Sequence, residues 1–290
     1  SIGASATNLR DTGLCRRAAK STQMTSGGYS PIESYAAIGD CHGSALVGRD
    51  GNIEWCALKR FDAPPVFLSI LDAERGGHWS IRPVGKFQAA RRYLSDTNIL
   101  RTVFTTPEGE VALTDFMPVG RRLYASAHDY VSLNAPGWVV RRLTGLRGSV
   151  KLEFDYRPSV DYARTRPILR FEDGAIRGDG VPALFGAAEC AIQGDAATAT
   201  ISIAAGETRD FVMAANTEAE RPPTARVTEF LAATQAFWSE WIGYCRYNGR
   251  YSEIVRRSAL ALKMMTFAPT GAIVAALTTS LPERIGGERN

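Results

Sequence analysis

At 290 residues, 45% of them hydrophobic, the chain can bury roughly three quarters of its unfolded surface, in one large domain or two smaller ones. Its net charge of +4 is spread as arginine pairs among acids (Arg91-Arg92, Arg121-Arg122, Arg141-Arg142, Arg256-Arg257), without the basic stripe of a nucleic-acid surface. No apolar run approaches the ~20 residues of a membrane span, and Cys15, Cys41, Cys56, Cys190 and Cys245 include no Cys-x-x-Cys pair, which excludes nucleic-acid, membrane and disulfide-framework classes and points to a cytoplasmic protein with reduced thiols.

Residues 1–28 read as an unstructured leader or a mis-called start. Arg10, Arg16, Arg17 and Lys20 face a single acid there, Asp11, which faintly resembles a transit peptide, and Met24 opens an alternative start.

Residues 29–218 carry a β pattern. Ser44-Ala45-Leu46-Val47 and Ile53-Glu54-Trp55-Cys56 flank Arg49-Asp50-Gly51-Asn52, a hairpin signal. With Asp50-Gly51 as the turn, Ala45 faces Cys56, and Cys41 then lies ~13 Å further along, beyond disulfide reach. A short helix is predicted over Pro64 to Asp72. Asn98 to Thr106 and Glu110 to Phe116 flank Pro107-Glu108-Gly109, with Val111, Leu113 and Asp115 on one face. Trp138 to Leu146 and Val150 to Tyr156 read as a further pair around Arg147-Gly148-Ser149. Ile168 to Phe171 and Ala175-Ile176 flank Glu172-Asp173-Gly174, and Thr198 to Ala204 and Arg209 to Ala214 flank Gly206-Glu207. Without βαβ alternation, the fold class is mainly β, an antiparallel sandwich.

The period changes at Arg221-Pro222-Pro223. Residues 219–248 read as a linker helix capped by Thr224, with Phe230, Leu231, Phe237, Trp238, Trp241 and Ile242 at helical spacing. Residues 249–290 open a helical domain, beginning with a helix capped by Ser252.

Chemistry-bearing patterns are sparse. His42, His78 and His128 form no metal motif; there is no nucleophile elbow, phosphate loop or dinucleotide fingerprint. Carboxylates remain: Asp40, Glu54, Asp62, Asp115, Asp155 and Glu283 are candidates for the acid and base of a glycosidase. Asp50 serves a turn, and Asp40, Asp115 and Asp155 sit where acids commonly bond backbone amides. Arg60 and Asp62, flanking Phe61, suit an ion pair or a site rim.

Ile32-Glu33-Ser34-Tyr35-Ala36-Ala37-Ile38-Gly39-Asp40, the Ala45 to Trp55 run, Arg60-Phe61-Asp62-Ala63-Pro64, Arg92-Tyr93-Leu94 before Thr97-Asn98-Ile99-Leu100, Leu113-Thr114-Asp115-Phe116-Met117-Pro118 and the Thr278 to Asn290 tail resemble bacterial glycoside hydrolase family 15, the glucoamylase-like and trehalase-like enzymes. The resemblance implies an N-terminal β-sandwich, a linker helix and an (α/α)6 barrel, here truncated, that hydrolyses α-glucosidic bonds with inversion through two glutamates further downstream. It therefore implies no catalytic residue in this chain, no cofactor or metal, and contact with α-glucan or trehalose only through the barrel. Arg60, Asp62, Ser280 and Glu283 are expected near the mouth of its pocket. Lys59 stands where the family often has Pro, which is expected to loosen that loop. Two other readings stay open: a free-standing carbohydrate-binding or interaction module presenting Trp55, Trp79, Tyr93 and Trp138 to sugars, and a non-functional gene fragment.

Overall fold

The computed structural model describes residues 29–122, 124–126, 128–216, 222 and 224–279. The expected leader and the tail from Ser280 onward lie outside the described residues. Among the described residues a one-turn 3-10 helix (Ile32–Ser34) is followed by sixteen strands and two α-helices. They are β1 (Ala36–Gly39), β2 (Ser44–Val47), β3 (Asn52–Ala57), β4 (His78–Pro83), β5 (Gln88–Tyr93), β6 (Leu100–Thr105), β7 (Gly109–Phe116), β8 (Gly120–Arg121), β9 (Leu133–Asn134), β10 (Trp138–Arg157), β11 (Arg170–Glu172), β12 (Ala175–Arg177), β13 (Ala183–Phe185), β14 (Ala191–Gln193), β15 (Ala196–Ala204), β16 (Thr208–Ala214), α1 (Thr224–Ile242) and α2 (Ser252–Met264). Every described strand pairing is antiparallel.

The 20-residue β10 organises the fold. Its first half pairs with β7 and β16, its second half with β4 and β15. The expected hairpin at Arg147-Gly148-Ser149 is therefore not formed: the chain bends and passes from one layer to the other. A register shift between Gly145 and Arg147 adds a residue to the strand. The core-facing set accordingly changes from Val139, Arg141 and Leu143 to Val150, Leu152, Phe154 and Tyr156. Glycine is required at this corner. A Cβ on Gly145 would stand 2.0 Å from the Ala204 carbonyl oxygen, and Gly148 has φ +63°.

β15 and β16 likewise do not pair with each other. They follow β10 around the same corner, where Gly206 N–H donates to Gly145 O (2.9 Å) and Gly145 N–H to Glu207 O (2.9 Å). The β2–β3 hairpin has Ala45 opposite Cys56 as expected, but a one-residue shift beside the turn sets Val47 opposite Ile53. Cys41, Cys56, Cys190 and Cys245 are free thiols. No helix forms over Pro64 to Asp72. Val66 N–H and Phe67 O bond to Cys56 (2.8 and 3.3 Å), so this segment extends the edge of β3 before turning.

Residues of both layers meet in one core. In its middle, Arg141 and Asp115 are completely buried. Arg141 Nε donates to Asp115 Oδ1 (2.9 Å), Nη1 to Trp79 O (2.6 Å) and Nη2 to Gly51 O (2.5 Å), and the guanidinium lies 5.0 Å from the Trp79 ring centre. One side chain thus joins β10 and β7 in one layer to β4 and the β2–β3 turn in the other.

Both helices are docked on this frame. In α1, Val227, Phe230 and Leu231 cover Phe116, Val140, Phe185 and Val212, and Thr234 Oγ1 accepts from Val119 N–H (3.1 Å). In α2, Asn98 Nδ2 donates to Leu260 O (3.1 Å), Arg257 to Thr97 O (2.8 Å) and Arg256 to Asp96 (3.0 Å). Arg257 also lies 4.2 Å from the centre of the Tyr93 ring, whose hydroxyl donates to Ala37 O (2.8 Å) and accepts from Ala37 N–H (3.0 Å). Ser252 is the first residue of α2 rather than its cap, which is Tyr251. Among the described residues no helix is long and apolar enough to cross a membrane, which says nothing about strands.

Arg141→Met leaves Asp115 buried without its countercharge and is expected to cost about 3–5 kcal/mol in urea unfolding, whereas Arg141→Met with Asp115→Leu is expected to recover most of that loss. Equal losses in the single and double variants would contradict this role for the pair.

Candidate functional site

Three segments converge at one end of the sandwich. The first is the turn from β1 to β2. Asp40 Oδ1 accepts from His42 N–H (3.0 Å) and Gly43 N–H (2.8 Å), an Asx-type turn that holds Cys41 at φ 64°. This left-handed conformation costs a non-glycine residue roughly 1–2 kcal/mol. Gly43 is needed because a Cβ would stand 2.3 Å from Ala57 O.

His42 is fixed by its surroundings. Its Nδ1 lies 3.1 Å from the Asp40 carbonyl oxygen, which can only accept, so Nδ1 carries a proton. Its ring meets Phe267 edge-on at 5.8 Å. The second segment carries Lys59 at φ 63°, with Arg60 N–H donating to Leu58 O (2.8 Å). Proline cannot adopt that φ, so Lys59 permits a tight turn here, contrary to the expected loosening.

Phe61 is buried against Phe267 (6.4 Å), and the exposed Arg60 grips Asp62 through Nε (2.8 Å) and Nη2 (2.7 Å). The third segment follows α2. Ala268 N–H donates to Cys41 O (2.9 Å), and Leu277 O accepts from Ser44 Oγ (3.3 Å). The structure therefore brings Arg60 and Asp62 together, beside the segment that leads to residue 280. Ser280 and Glu283 lie outside the described residues.

Asp40 also has a buried oxygen, Oδ2, without a partner among the described residues. Burial pushes this carboxyl above the usual aspartate range, against the opposing pull of the Gly43 and His42 N–H groups. Asp40 bonds backbone amides as the sequence led one to expect, but the burial of its second oxygen is not visible in the local sequence. His42 was missed as part of the rim, because its position depends on Phe267, more than two hundred residues away in the chain. The Asp40-x-x-Gly43 spacing is the local signal that could have found the turn.

The other carboxylates are dispersed. Asp50 accepts from Asn52 N–H (3.2 Å), as expected of a turn. Asp115 and Asp155 bond arginine and histidine side chains rather than backbone amides: Asp115 pairs with Arg141, and Asp155 with Arg157 (2.9 Å) and His78 (3.4 Å). Glu54 accepts from Tyr35 and from Asn52 Nδ2 (3.1 Å), and burial raises its pKa. A hollow of about 580 Å³ on the outer face of β3, β4, β10 and β15 is lined by Asp50, Asn52, His78, Arg82, Glu153 and Asp155, apart from the Arg60–Asp62 rim.

The aromatic row of a sugar-binding module does not form. Trp55 and Trp79 are fully buried, Tyr93 lies under Arg257, and Trp138 packs on Phe230 (5.1 Å). Among the described residues no group of three or more His, Cys, Asp or Glu is placed to hold a metal.

The fold is thus a two-layered β domain with two helices docked on it and a polar rim at one end. The family described as "Trehalase-like, N-terminal" matches residues 20–205, and the chain belongs to that family. It is 33% identical over 260 residues to a trehalase of Thermoplasma acidophilum, covering 84% of this chain and 42% of that protein. It is 30% identical over 284 residues to the trehalases of Mycolicibacterium smegmatis and Mycobacterium tuberculosis, covering 90% of this chain and 42% and 41% of theirs. The chain thus spans about two fifths of the length of these curated relatives.

The Asp40 environment has a pH signature. A carboxyl whose pKa is raised by folding stabilises the fold at low pH, and that contribution is lost as pH rises through its folded value. Relative to Asp40→Asn, the wild type is expected to lose stability as pH rises from the ordinary aspartate range through the raised folded value. Urea midpoints of both proteins check this; parallel pH dependence would show that Asp40 carries no raised pKa.

Proposed function

We propose that this chain is the N-terminal, non-catalytic part of an inverting α-glucosidase of glycoside hydrolase family 15 type, with trehalose rather than α-1,4-glucan as substrate. The match of the trehalase-like N-terminal family over residues 20–205 carries this reading, and the three relatives named above are all trehalases. In this proposal residues 29–218 are the sandwich, 219–248 the linker helix and 249–290 the opening of an (α/α)6 barrel. The family's glutamates and sugar-binding groups belong to that barrel, and the protein works in the cytoplasm.

Two features support the arrangement. Phe61 and Phe267 fix the Arg60–Asp62 pair beside the segment leading toward Ser280 and Glu283, where a pocket rim would be built. Tyr251, Ile254 and Leu262 leave an apolar stripe exposed on the outer side of α2, which a further helical layer would cover. Arg60, Asp62, Ser280 and Glu283 are proposed to orient sugar at the mouth, not to react with it.

The purified 290-residue chain is expected to release no glucose from trehalose or maltooligosaccharides. A protein of the relatives' full length carrying this sequence is expected to hydrolyse trehalose with inversion, seen as β-glucose in early proton spectra, and Asp62→Ala in it is expected to raise KM about tenfold with little change in kcat. Glucose release by the 290-residue chain, abolished by substituting one of its carboxylates, would overturn the proposal.

A further inference from the structure

A continuous row of side chains crosses the outer face of the β5–β6–β7–β10–β16 layer. Arg92 stands opposite Arg101, Arg101 opposite Thr114, Thr114 opposite Arg142, and Arg142 opposite Asp210. Directly opposed residues project from the same face, about 5 Å apart at Cα. The row therefore holds three guanidiniums and one carboxylate. Asp210 is already gripped by Arg142 through Nε (2.6 Å) and Nη2 (2.9 Å). Among the described residues Arg92 and Arg101 have no hydrogen bond or ion pair, and Arg101 Nε is buried without a partner.

Two like charges directly across a strand pair destabilise it, and a buried N–H left unpaired costs the solvation it gave up. Each wants an acceptor with negative charge on several oxygens. The neighbours do not supply one. In the next row toward the β6–β7 turn stand Ala90, Val103, Ala112, Thr144 and Thr208. On the other side Phe116, Val140 and Val212 lie under α1, with Arg142 reaching Thr228 Oγ1 (3.0 Å) on that helix.

We propose that Arg92 and Arg101 form a binding site for a small inorganic oxyanion on the sheet face beside α1. Guanidiniums match such ligands because their N–H groups lie in a planar fork that engages two oxygens at once. The anion would receive the Arg101 Nε–H and balance the excess charge of the row. The site is independent of the Arg60–Asp62 rim and of any hydrolytic activity.

Titration calorimetry of the full 290-residue chain with sodium sulfate, at ionic strength held constant with sodium chloride, is expected to show one saturable site. Arg101→Gln and Arg92→Gln are each expected to weaken it about tenfold or more, the loss of a charge-assisted hydrogen bond. Arg170→Gln, an exposed arginine on β11, is expected to leave it unchanged. Arg92→Gln is also expected to keep or raise the thermal midpoint in chloride alone while losing the rise that sulfate gives the wild type. Absence of saturable sulfate binding by the wild type, or unchanged affinity in both Arg92→Gln and Arg101→Gln, would overturn the proposal.

Discussion

The fold turns on a guanidinium in an apolar core. Arg141 sits between Val139 and Leu143 on the inward face of β10, where an unpaired cation would be expelled at a cost of several kcal/mol. It is tolerated because Asp115 neutralises it and two carbonyls from the opposite layer take its remaining N–H groups. Those carbonyls belong to Trp79 and to Gly51, so the same side chain that neutralises Asp115 also fixes the β2–β3 turn against β10. An apolar residue could fill the volume, but it could not specify which turn and which strand must meet. The pair thus contributes register more than net stability.

That constraint passes outward to the rim. The β2–β3 hairpin held at Gly51 carries at its other end the Asp40–Gly43 turn and the Leu58–Asp62 loop, which touch at Gly43 and Ala57. Both contain a non-glycine residue at positive φ, Cys41 and Lys59, a local strain of the kind that persists only where surrounding structure enforces it. Phe267 then closes against His42 and Phe61 from the far end of the chain. Several segments that carry the family resemblance serve this mechanical purpose. Tyr93, Thr97 and Asn98 hold α2, while Asp115 holds Arg141.

Local chemistry made much of this legible in the sequence. Asp50-Gly51, Glu108-Gly109 and Asp173-Gly174 mark turns that form, because turn conformation depends on a few adjacent residues. Alternation correctly placed Val111, Leu113 and Asp115 on one face. The same turn vocabulary misled at Gly148, where the strand continues through a bend. At Gly206 the turn forms, with Glu207 N–H donating to Ala204 O (3.0 Å), but its two strands pair with β10 and not with each other. Only the pairing of β10 with four other strands distinguishes the two cases. Val66 and Phe67 form an extended edge in place of a helix because Cys56 offers backbone partners that no local pattern reveals. The rim was half legible: Arg60 and Asp62 are neighbours in sequence, while His42 and Phe267 meet only through the packing of α2.

In this account the two helices are fastened to the sandwich and fold as part of it, so the rim is built on a single rigid body. Hydrogen exchange of the native chain tests that directly. The amides of Leu260 to Met264 in α2 are expected to exchange only through global unfolding, with the same protection free energy as Val139 to Leu143 in β10. Exchange of α2 through a separate, less costly opening while β10 stays protected would contradict the account.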